Sequence, residues 1–192
     1  ARELPDIGYA EHLSREGDNL SNYTRYLSDQ HKAIFEEILR KLADRIPGLE
    51  RVDSKLTSDG RITLQFKDRP FANPFVARFV SDGTVKMFAY LALLNDPEPP
   101  PLLCIEEPEN GLHPQLLAIL VEELRSHSIN TQVFISSHSP QLVNYVSPDE
   151  LWLMDRNEKG YTQVKLATET PGVQEFLDAG LPLGELWTSK HL

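Results

Sequence analysis

The sequence predicts an α/β fold with a layered, mostly parallel sheet, because short apolar runs alternate with amphipathic helices in its second half. Residues 102–105 and 132–136 form apolar runs of strand length, and such runs are typical of parallel strands that are buried on both faces. Helical periodicity separates them at residues 114–124. The alternation of helix and strand from residue 80 onward indicates parallel strands that are joined by helical crossovers.

Composition and charge exclude several classes of protein. The chain has 192 residues, of which 40% are hydrophobic and 25% are charged, and these values exclude a disordered or fibrous chain. The net charge of −10 gives no overall attraction for phosphate backbones or anionic membranes. No apolar run approaches the ~20 residues that span a bilayer, and no signal peptide is visible. We therefore expect no membrane partner.

The single cysteine leads to two predictions, one about disulfide bonds and one about burial. Because Cys104 has no partner in the sequence, an internal disulfide is excluded, which fits a reducing, cytoplasmic location. Since Cys104 lies within the apolar run at 102–105, we interpret it as a small, buried apolar residue.

The organisation predicted for the chain has three parts. Residues 1–79 form a helical and β-hairpin arm, residues 80–166 form the α/β core, and residues 167–192 form a C-terminal helix and a packed tail. A strand is expected at 151–154 as a third member of the parallel sheet. A short helix is expected at 173–179.

The arm is predicted to contain one helix and one hairpin. Apolar residues recur at helical spacing over 28–46, after a polar loop, and Pro47-Gly48 ends the helix. The runs at 52–57 and 61–67 alternate around Ser58-Asp59-Gly60, which predicts two antiparallel strands and a turn. We interpret the lysines and arginines of the helix, including Lys41, as a solvated face.

Two adjacent carboxylates, Glu106 and Glu107, follow the apolar run at 102–105. Two unit charges about 6 Å apart repel by about 3 kcal/mol at an effective dielectric constant of 20, so we expect a cation or a proton to relieve the repulsion. Mg²⁺ is a natural counter-ion, because proteins bind it through one or two carboxylates plus substrate phosphates. The sequence therefore favours a functional pair over a solvated acidic turn.

Two further loops are candidates for binding a phosphate. His138 follows the apolar run at 132–136, where an imidazole can reach a transferring phosphoryl group, although a structural histidine is the alternative. Ser81-Asp82-Gly83-Thr84 begins an apolar helix, where small residues and the helix dipole favour an anion. The other Ser-Asp-Gly, at 58–60, is flanked by alternating residues and is interpreted as a plain turn.

Several catalytic and binding motifs are missing from the sequence. None of its ten glycines is followed by lysine, so it has no Gly-x-x-x-x-Gly-Lys-Ser/Thr phosphate loop. It also has no H-E-x-x-H, G-x-S-x-G or C-x-x-C motif. The hydrolase-triad and structural-zinc interpretations therefore lose their main support.

Taken in order, the motifs resemble the second half of an ABC-type ATPase domain. The resemblance is to the SMC/RecF-like and OLD-like groups of predicted AAA-type ATPases rather than to transporter subunits. Residues 80–84 resemble the signature motif, 102–107 Walker B with the adjoining catalytic glutamate, 108–114 the D-loop, and 137–140 the switch-histidine loop. The resemblance implies a layered P-loop NTPase lobe that uses ATP and Mg²⁺ and hydrolyses ATP.

The resemblance also implies roles for individual residues. Glu106 would hold Mg²⁺, Glu107 would orient and polarise the attacking water, and His138 would contact the γ-phosphate. Two residues depart from the pattern: transporter-like members carry Asp at position 106, and many members carry Gly at position 82, where Asp82 would have to point away from a phosphate and cap the following helix. The residues expected to contact nucleotide are Ser81, Asp82, Gly83, Asn110 and Gly111.

The resemblance implies partners as well. In these families Walker A precedes all the motifs seen here, so a Walker A-containing N-terminal half of the same protein, or a split subunit, would complete the site. The chain by itself is expected to bind ATP poorly. Because the signature acts across a dimer, a head-to-tail homodimer is expected, with an effector protein as a further partner in DNA maintenance or defence. Nucleic acid is left open as a partner.

Two alternatives to an ATPase remain open from the sequence. The first is a catalytically inactive lobe that is kept for dimerisation. The second is a Mg²⁺-dependent nuclease-like site built from Glu106, Glu107 and Asp155, although the Asp-x-Asp pair typical of such sites is replaced by Asp155-Arg156-Asn157.

Overall fold

The computed structural model describes residues 10–192, so the first nine residues of the predicted arm lie outside the described residues. The helices of this part are α1 (Leu20–Gln30), α2 (Lys32–Arg45), α3 (Asp82–Leu94), α4 (Gln115–His127), α5 (Pro140–Val143), α6 (Val173–Asp178) and α7 (Leu183–Thr188). The strands are β1 (Leu49–Leu56), β2 (Ile62–Asp68), β3 (Phe75–Val76), β4 (Leu102–Glu106), β5 (Gln132–Ser136), β6 (Trp152–Arg156) and β7 (Thr162–Leu166). No helix within residues 10–192 has both the length and the hydropathy to cross a bilayer.

The arm contains two helices where the sequence predicts one. α1 and α2 meet at His31, so the prediction of a single helix over 28–46 that follows a loop is wrong. Leu20, Tyr23 and Leu27 form the buried stripe of α1, and each is at most 1% exposed. Their spacing is helical, but the polar residues between them hide the pattern in the sequence.

The predicted hairpin is confirmed, and it is slightly longer than expected. β1 and β2 pair antiparallel, with Val52 opposite Phe66 and Leu56 opposite Ile62. Gly60 closes the turn with a φ of +83°, a conformation that glycine adopts at little cost. β3 adds a short third strand to this sheet.

β4 and β5 pair in parallel, as predicted, and α4 is the crossover between them. The register aligns Leu103 with Val133 and Ile105 with Ile135. These four side chains pack against a core that includes buried residues of α3 and α4. The helices therefore cover one face of the two strands.

The opposite face of β4 and β5 is open, so the prediction that both faces are buried is wrong for this chain. Leu102 is 51% exposed and Phe134 is 52% exposed. Cys104 is exposed as well, which corrects its interpretation as a buried residue. An apolar run predicts a strand that can be covered on both faces, but it does not show whether this chain supplies the residues that cover the second face.

β6 pairs antiparallel with β7, and the parallel sheet has only two strands within residues 10–192. The strand predicted at 151–154 is confirmed, but its place in the parallel sheet is wrong. A tight turn joins β6 to β7, where the Asn157 side chain accepts from the N–H groups of Lys159 and Tyr161 at 3.0 Å each. A tight turn suits an antiparallel pair, whereas a parallel pair needs a long crossover. The fold is therefore mixed α/β rather than mostly parallel.

One hydrophobic cluster spans the arm and the helices of the core. Buried residues of α1, α2, β1 and β2 share this cluster with residues of α3 and α4. A second cluster joins the end of α5 to the C-terminal helices and contains Val143, Val173, Leu183 and Leu186. The division at 79/80 and 166/167 stays a prediction.

A buried ion-pair cluster connects the arm to the core. Glu123 of α4 is 7% exposed, and its carboxylate accepts from Lys41 at 3.0 Å and also from Arg45. Lys41 further contacts the side-chain oxygen of Asn95 at 3.4 Å. The interpretation of Lys41 as part of a solvated face is therefore wrong, because its partner lies on a distant helix that periodicity does not reveal.

Candidate functional site

β4 and β5 end side by side, and this brings two of the predicted site loops together. The parallel register pairs Glu106 with Ser136. The N–H of Glu107 then donates to the Ser136 carbonyl oxygen at 2.8 Å. His138 follows two residues later and is exposed. The adjacent carboxylates and the histidine loop therefore share the carboxyl edge of a parallel pair, which is where α/β sheets bind ligands.

Glu107 has an unusual backbone conformation for a residue that is not glycine. Its φ is +43°, and the left-handed region costs roughly 1–2 kcal/mol for such residues. Its carbonyl oxygen accepts from the Asn110 N–H at 3.1 Å, and its carboxylate accepts from the Asn110 side-chain amide. Strain of this kind persists where the surroundings hold it, and it is concentrated at functional sites.

The predicted signature residues lie at the start of α3. The Ser81 hydroxyl accepts from the Thr84 N–H at 3.2 Å and lies 2.8 Å from the Thr84 hydroxyl. Ser81 is therefore the helix cap, which corrects the expectation that Asp82 has this role. Asp82 is the first residue of α3, where a negative charge interacts favourably with the helix dipole.

Gly83 and Gly111 bring the start of α3 against the loop that follows β4. A Cβ atom at Gly83 would lie 2.8 Å from the Gly111 carbonyl oxygen, which is too close without a backbone shift. Gly111 itself has a φ of +77°, a region that favours glycine. The glycine at 83 therefore allows two backbones to pack closely, and its contact with a phosphate stays a prediction.

The histidine loop is connected to the loop after β4 through side chains. The Ser137 hydroxyl donates to Glu109 and accepts from the Ser139 N–H at 2.9 Å. The Ser139 hydroxyl accepts from the Leu142 N–H at 3.3 Å and caps α5, which confirms the predicted helix start. The loops at 107–111 and 137–139 therefore form one connected structure.

Sequence reasoning missed four residues that shape this site. Glu109 and Ser137 lie inside the motifs at 108–114 and 137–140, but no role was predicted for them. Lys86 donates to the Asn110 carbonyl oxygen, and the Tyr90 hydroxyl donates to the Pro108 carbonyl oxygen at 3.2 Å. The signal that could have found Lys86 and Tyr90 is their position three and seven residues after Gly83, which places all three on one face of a helix.

Comparison with protein families identifies the chain. A family model described as "AAA domain, putative AbiEii toxin, Type IV TA system" matches residues 5–144, which is well over half of the chain. The chain belongs to this AAA domain family. Comparison with curated proteins gives no match.

Solved structures of SMC ATPases have a similar fold to this AAA domain. One, from work on ATP-driven dimerization and DNA-stimulated activation of SMC ATPases, has 12% identity, a TM-score of 0.57 and coverage of 81% of this chain and 97% of that chain. An SMC head bound to the C-terminal winged-helix domain of ScpA has 13% identity and a TM-score of 0.54, over 83% of this chain and 51% of that chain. An SMC head with a coiled coil and joint from Pyrococcus yayanosii has 12% identity and a TM-score of 0.54, over 86% of this chain and 34% of that chain. The AAA domain thus spans about half and about a third of the latter two chains.

The AAA domain offers few ligands for a metal ion. Within residues 10–192, no group of three or more His, Cys, Asp or Glu side chains is arranged to hold one. Glu106 presents an exposed side chain at the end of β4, and Mg²⁺ commonly uses one or two protein carboxylates and takes its other oxygens from phosphates and water. The residues fit a Mg²⁺ ion that arrives with a nucleotide, and they do not fit an all-protein metal site.

Proposed function

We propose that this AAA domain takes part in binding and hydrolysing ATP with Mg²⁺, as one lobe of an ABC/SMC-like ATPase. The observation that carries the proposal is the edge at which β4 and β5 end. There Glu106 is paired with Ser136, two residues before His138. The Glu107 N–H donates to the Ser136 carbonyl oxygen at 2.8 Å. Phosphoryl transfer needs mainly positioning and charge stabilisation, and carboxylates at this edge would position a Mg²⁺ ion and a water molecule.

The residues of this edge have separate roles in the proposal. Glu106 would hold a Mg²⁺ ion, which would supply positive charge to the phosphates of the nucleotide. Glu107 orients and polarises the attacking water, with its carboxylate held by Asn110. His138 contacts the γ-phosphate. Ser81 and Gly83, at the start of α3, contact the γ-phosphate of a nucleotide that is bound by a second head. Asp82, Asn110 and Gly111 are the other residues proposed to line that nucleotide site.

Glu107→Gln tests the catalytic role in the complete protein. We expect turnover to fall at least a hundredfold, because the amide cannot polarise water, while ATP-bound dimers accumulate. Glu158→Gln, in the exposed β6–β7 turn, is the matched control and should retain wild-type turnover. Wild-type hydrolysis by Glu107→Gln would refute the assignment.

This chain has no phosphate-binding loop with the Gly-Lys pair. The open sheet face indicates where a segment that carries such a loop would pack. We propose that a Walker A-containing N-terminal half of the same protein packs on the open face of β4 and β5. Leu102 and Phe134 are about half exposed on this face, whereas parallel sheets are almost always covered on both faces. An α/β lobe placed there would cover this face with a second layer and complete the nucleotide site.

Cys104 is the natural probe of this packing, because it lies on the open face and is the only cysteine of the chain. We expect a maleimide to label Cys104 rapidly in the isolated AAA domain and at least tenfold more slowly in the complete protein. Mass spectrometry of the Cys104 peptide distinguishes it from other cysteines, and labelling after unfolding supplies the reference. Equal rates in the two proteins would contradict the packing.

Dimerisation and the effector belong to the same proposal. ATP would join two heads head-to-tail, hydrolysis would separate them, and the cycle would regulate a partner protein in DNA maintenance or defence. Sedimentation of Glu107→Gln with and without ATP measures the first step. An ATP-independent dimer without turnover would favour the alternative of an inactive dimerisation lobe.

The nuclease-like alternative receives no support from the geometry. Asp155 lies in β6, in a different sheet from the Glu106 edge, and its carboxylate accepts from the Arg156 N–H at 2.6 Å. Within the described residues no three-carboxylate metal group is present. We expect Asp155→Asn to retain full ATP turnover.

A further inference from the structure

One face of α3 contacts the backbone of the loop at 108–111 at three successive positions. Gly83 packs against the Gly111 carbonyl oxygen, with only 2.8 Å available to a Cβ atom. One turn later Lys86 donates to the Asn110 carbonyl oxygen. Another turn later the Tyr90 hydroxyl donates to the Pro108 carbonyl oxygen at 3.2 Å. The spacing of three and four residues keeps these contacts on one side of the helix.

The carbonyl groups of this loop alternate between internal and external partners. Those of Glu107 and Glu109 accept from the nearby N–H groups of Asn110 and Leu112, at 3.1 and 3.0 Å. Those of Pro108 and Asn110 accept from α3. Each backbone oxygen from 107 to 110 therefore has a donor, and half of those donors are supplied by the helix.

Asn110 connects this support to the proposed catalytic carboxylate. Its carbonyl oxygen is held by Lys86, and its side-chain amide donates to the Glu107 carboxylate. The loop also continues to the histidine loop, because Glu109 accepts from Ser137. A movement of Asn110 would therefore change the direction of the Glu107 side chain.

We propose that Lys86 and Tyr90 are positioning residues that hold the 108–111 loop against α3, so that Asn110 directs the Glu107 carboxylate toward the attacking water. The inference rests on the proposed ATPase function and deepens it. It also gives α3 a second role, because the helix that begins with the signature residues supports the catalytic loop of its own head.

The chemistry of both donors suits a permanent support. The Lys86 ammonium group donates a charge-assisted hydrogen bond to a carbonyl oxygen. Burial, and then the nearby Glu109 charge, raise the pKa of Tyr90, so its hydroxyl keeps its proton.

Kinetics of the complete protein provide the first test. We expect Lys86→Met to lower kcat for ATP about tenfold or more, because small displacements of a catalytic group are costly, while KM stays within twofold. Tyr90→Phe should lower kcat by a smaller factor. Lys86→Arg keeps the positive charge and should retain most of the wild-type kcat. The controls are Lys32→Met and Tyr161→Phe, which change exposed side chains elsewhere and should leave kcat unchanged.

Hydrogen exchange of the isolated chain provides a second test that does not depend on ATP turnover. The Asn110 and Leu112 amides bond within the loop at 3.1 and 3.0 Å, and their exchange should quicken at least fivefold in Lys86→Met while the amides of β1 and β2 are unaffected. Unchanged exchange would overturn the inference, as would faster exchange with an unchanged kcat. A wild-type protein without turnover would refute the proposed function instead, and the exchange data would then decide on the loop support alone.

Discussion

Removing the charge of Glu123 is expected to destabilise the chain by weakening the polar contact between the arm and the core. Glu123 lies on α4 and is 7% exposed. Its two carboxylate oxygens accept from Lys41 and Arg45 of α2. Glu123→Gln keeps the volume of the side chain but leaves both cations without their anion.

The size of the effect follows from the burial of the three groups. Removing one partner of a buried ion pair costs about 3–5 kcal/mol. The Lys41 and Arg45 side chains are 18% and 20% exposed, so water can partly re-solvate them and the lower end applies. We therefore expect the free energy of unfolding to fall by about 3 kcal/mol.

Urea denaturation of the isolated chain measures this value directly. The matched control is Glu122→Gln, which removes the same charge from the preceding, exposed position of the same helix and should change stability by less than about 0.5 kcal/mol. The triple variant Lys41→Met, Arg45→Met, Glu123→Leu should recover most of the loss, because an apolar cluster can replace a buried ion pair. Equal stabilities of Glu123→Gln and Glu122→Gln would refute the reasoning.

Three further predictions concern the stability of the chain. Gly83→Ala should lower the free energy of unfolding by about 1–2 kcal/mol, although alanine favours helices, because its Cβ would lie 2.8 Å from the Gly111 carbonyl oxygen; urea denaturation measures it, and a stabilised variant would contradict the close packing. Ser139→Ala should cost about 1 kcal/mol through loss of the cap of α5, whereas Ser139→Asp should retain the cap, and thermal unfolding of the two variants compares them. The hydrogen bond from Arg125 lowers the pKa of Glu150 from 4.5 to about 2, so its stabilisation is complete above pH 4.5 and is lost as the pH falls toward 2. Since the Glu150 side chain is 39% exposed, the contribution should be below about 1 kcal/mol, and Glu150→Gln should lose less stability than the wild type between pH 5 and 2.5; identical losses would contradict the pairing.

The comparison of sequence and structure separates local from non-local information. The strand at 132–136 and the hairpin around Gly60 were predictable, because apolar runs, alternation and turn residues are all local signals. The break at His31 was not, because the buried stripe of α1 is diluted by polar residues. The predicted place of β6 in the parallel sheet was wrong, since strand pairing depends on residues that a local pattern does not contain.

The candidate site shows the same division. Glu106, Glu107 and His138 could be selected from the sequence because each follows an apolar strand, and charged groups at strand ends are typical of binding edges in α/β folds. The spacing of Lys86 and Tyr90 places them on the Gly83 face of α3, but it does not show their partners, which are backbone oxygens about 20 residues away in the chain. A backbone carbonyl oxygen is present in every residue, so the sequence does not show which one accepts a hydrogen bond.

By itself, the sequence determined the order of helices, strands and motif loops, because periodicity and turn chemistry act over a few residues. Only the tertiary structure decided the partner of β6, which face of β4 and β5 stays open, and which donors hold the loop after β4. The physical reason is that these features depend on contacts between segments that are distant in the chain. The pattern within one segment indicates only which of its faces can be buried.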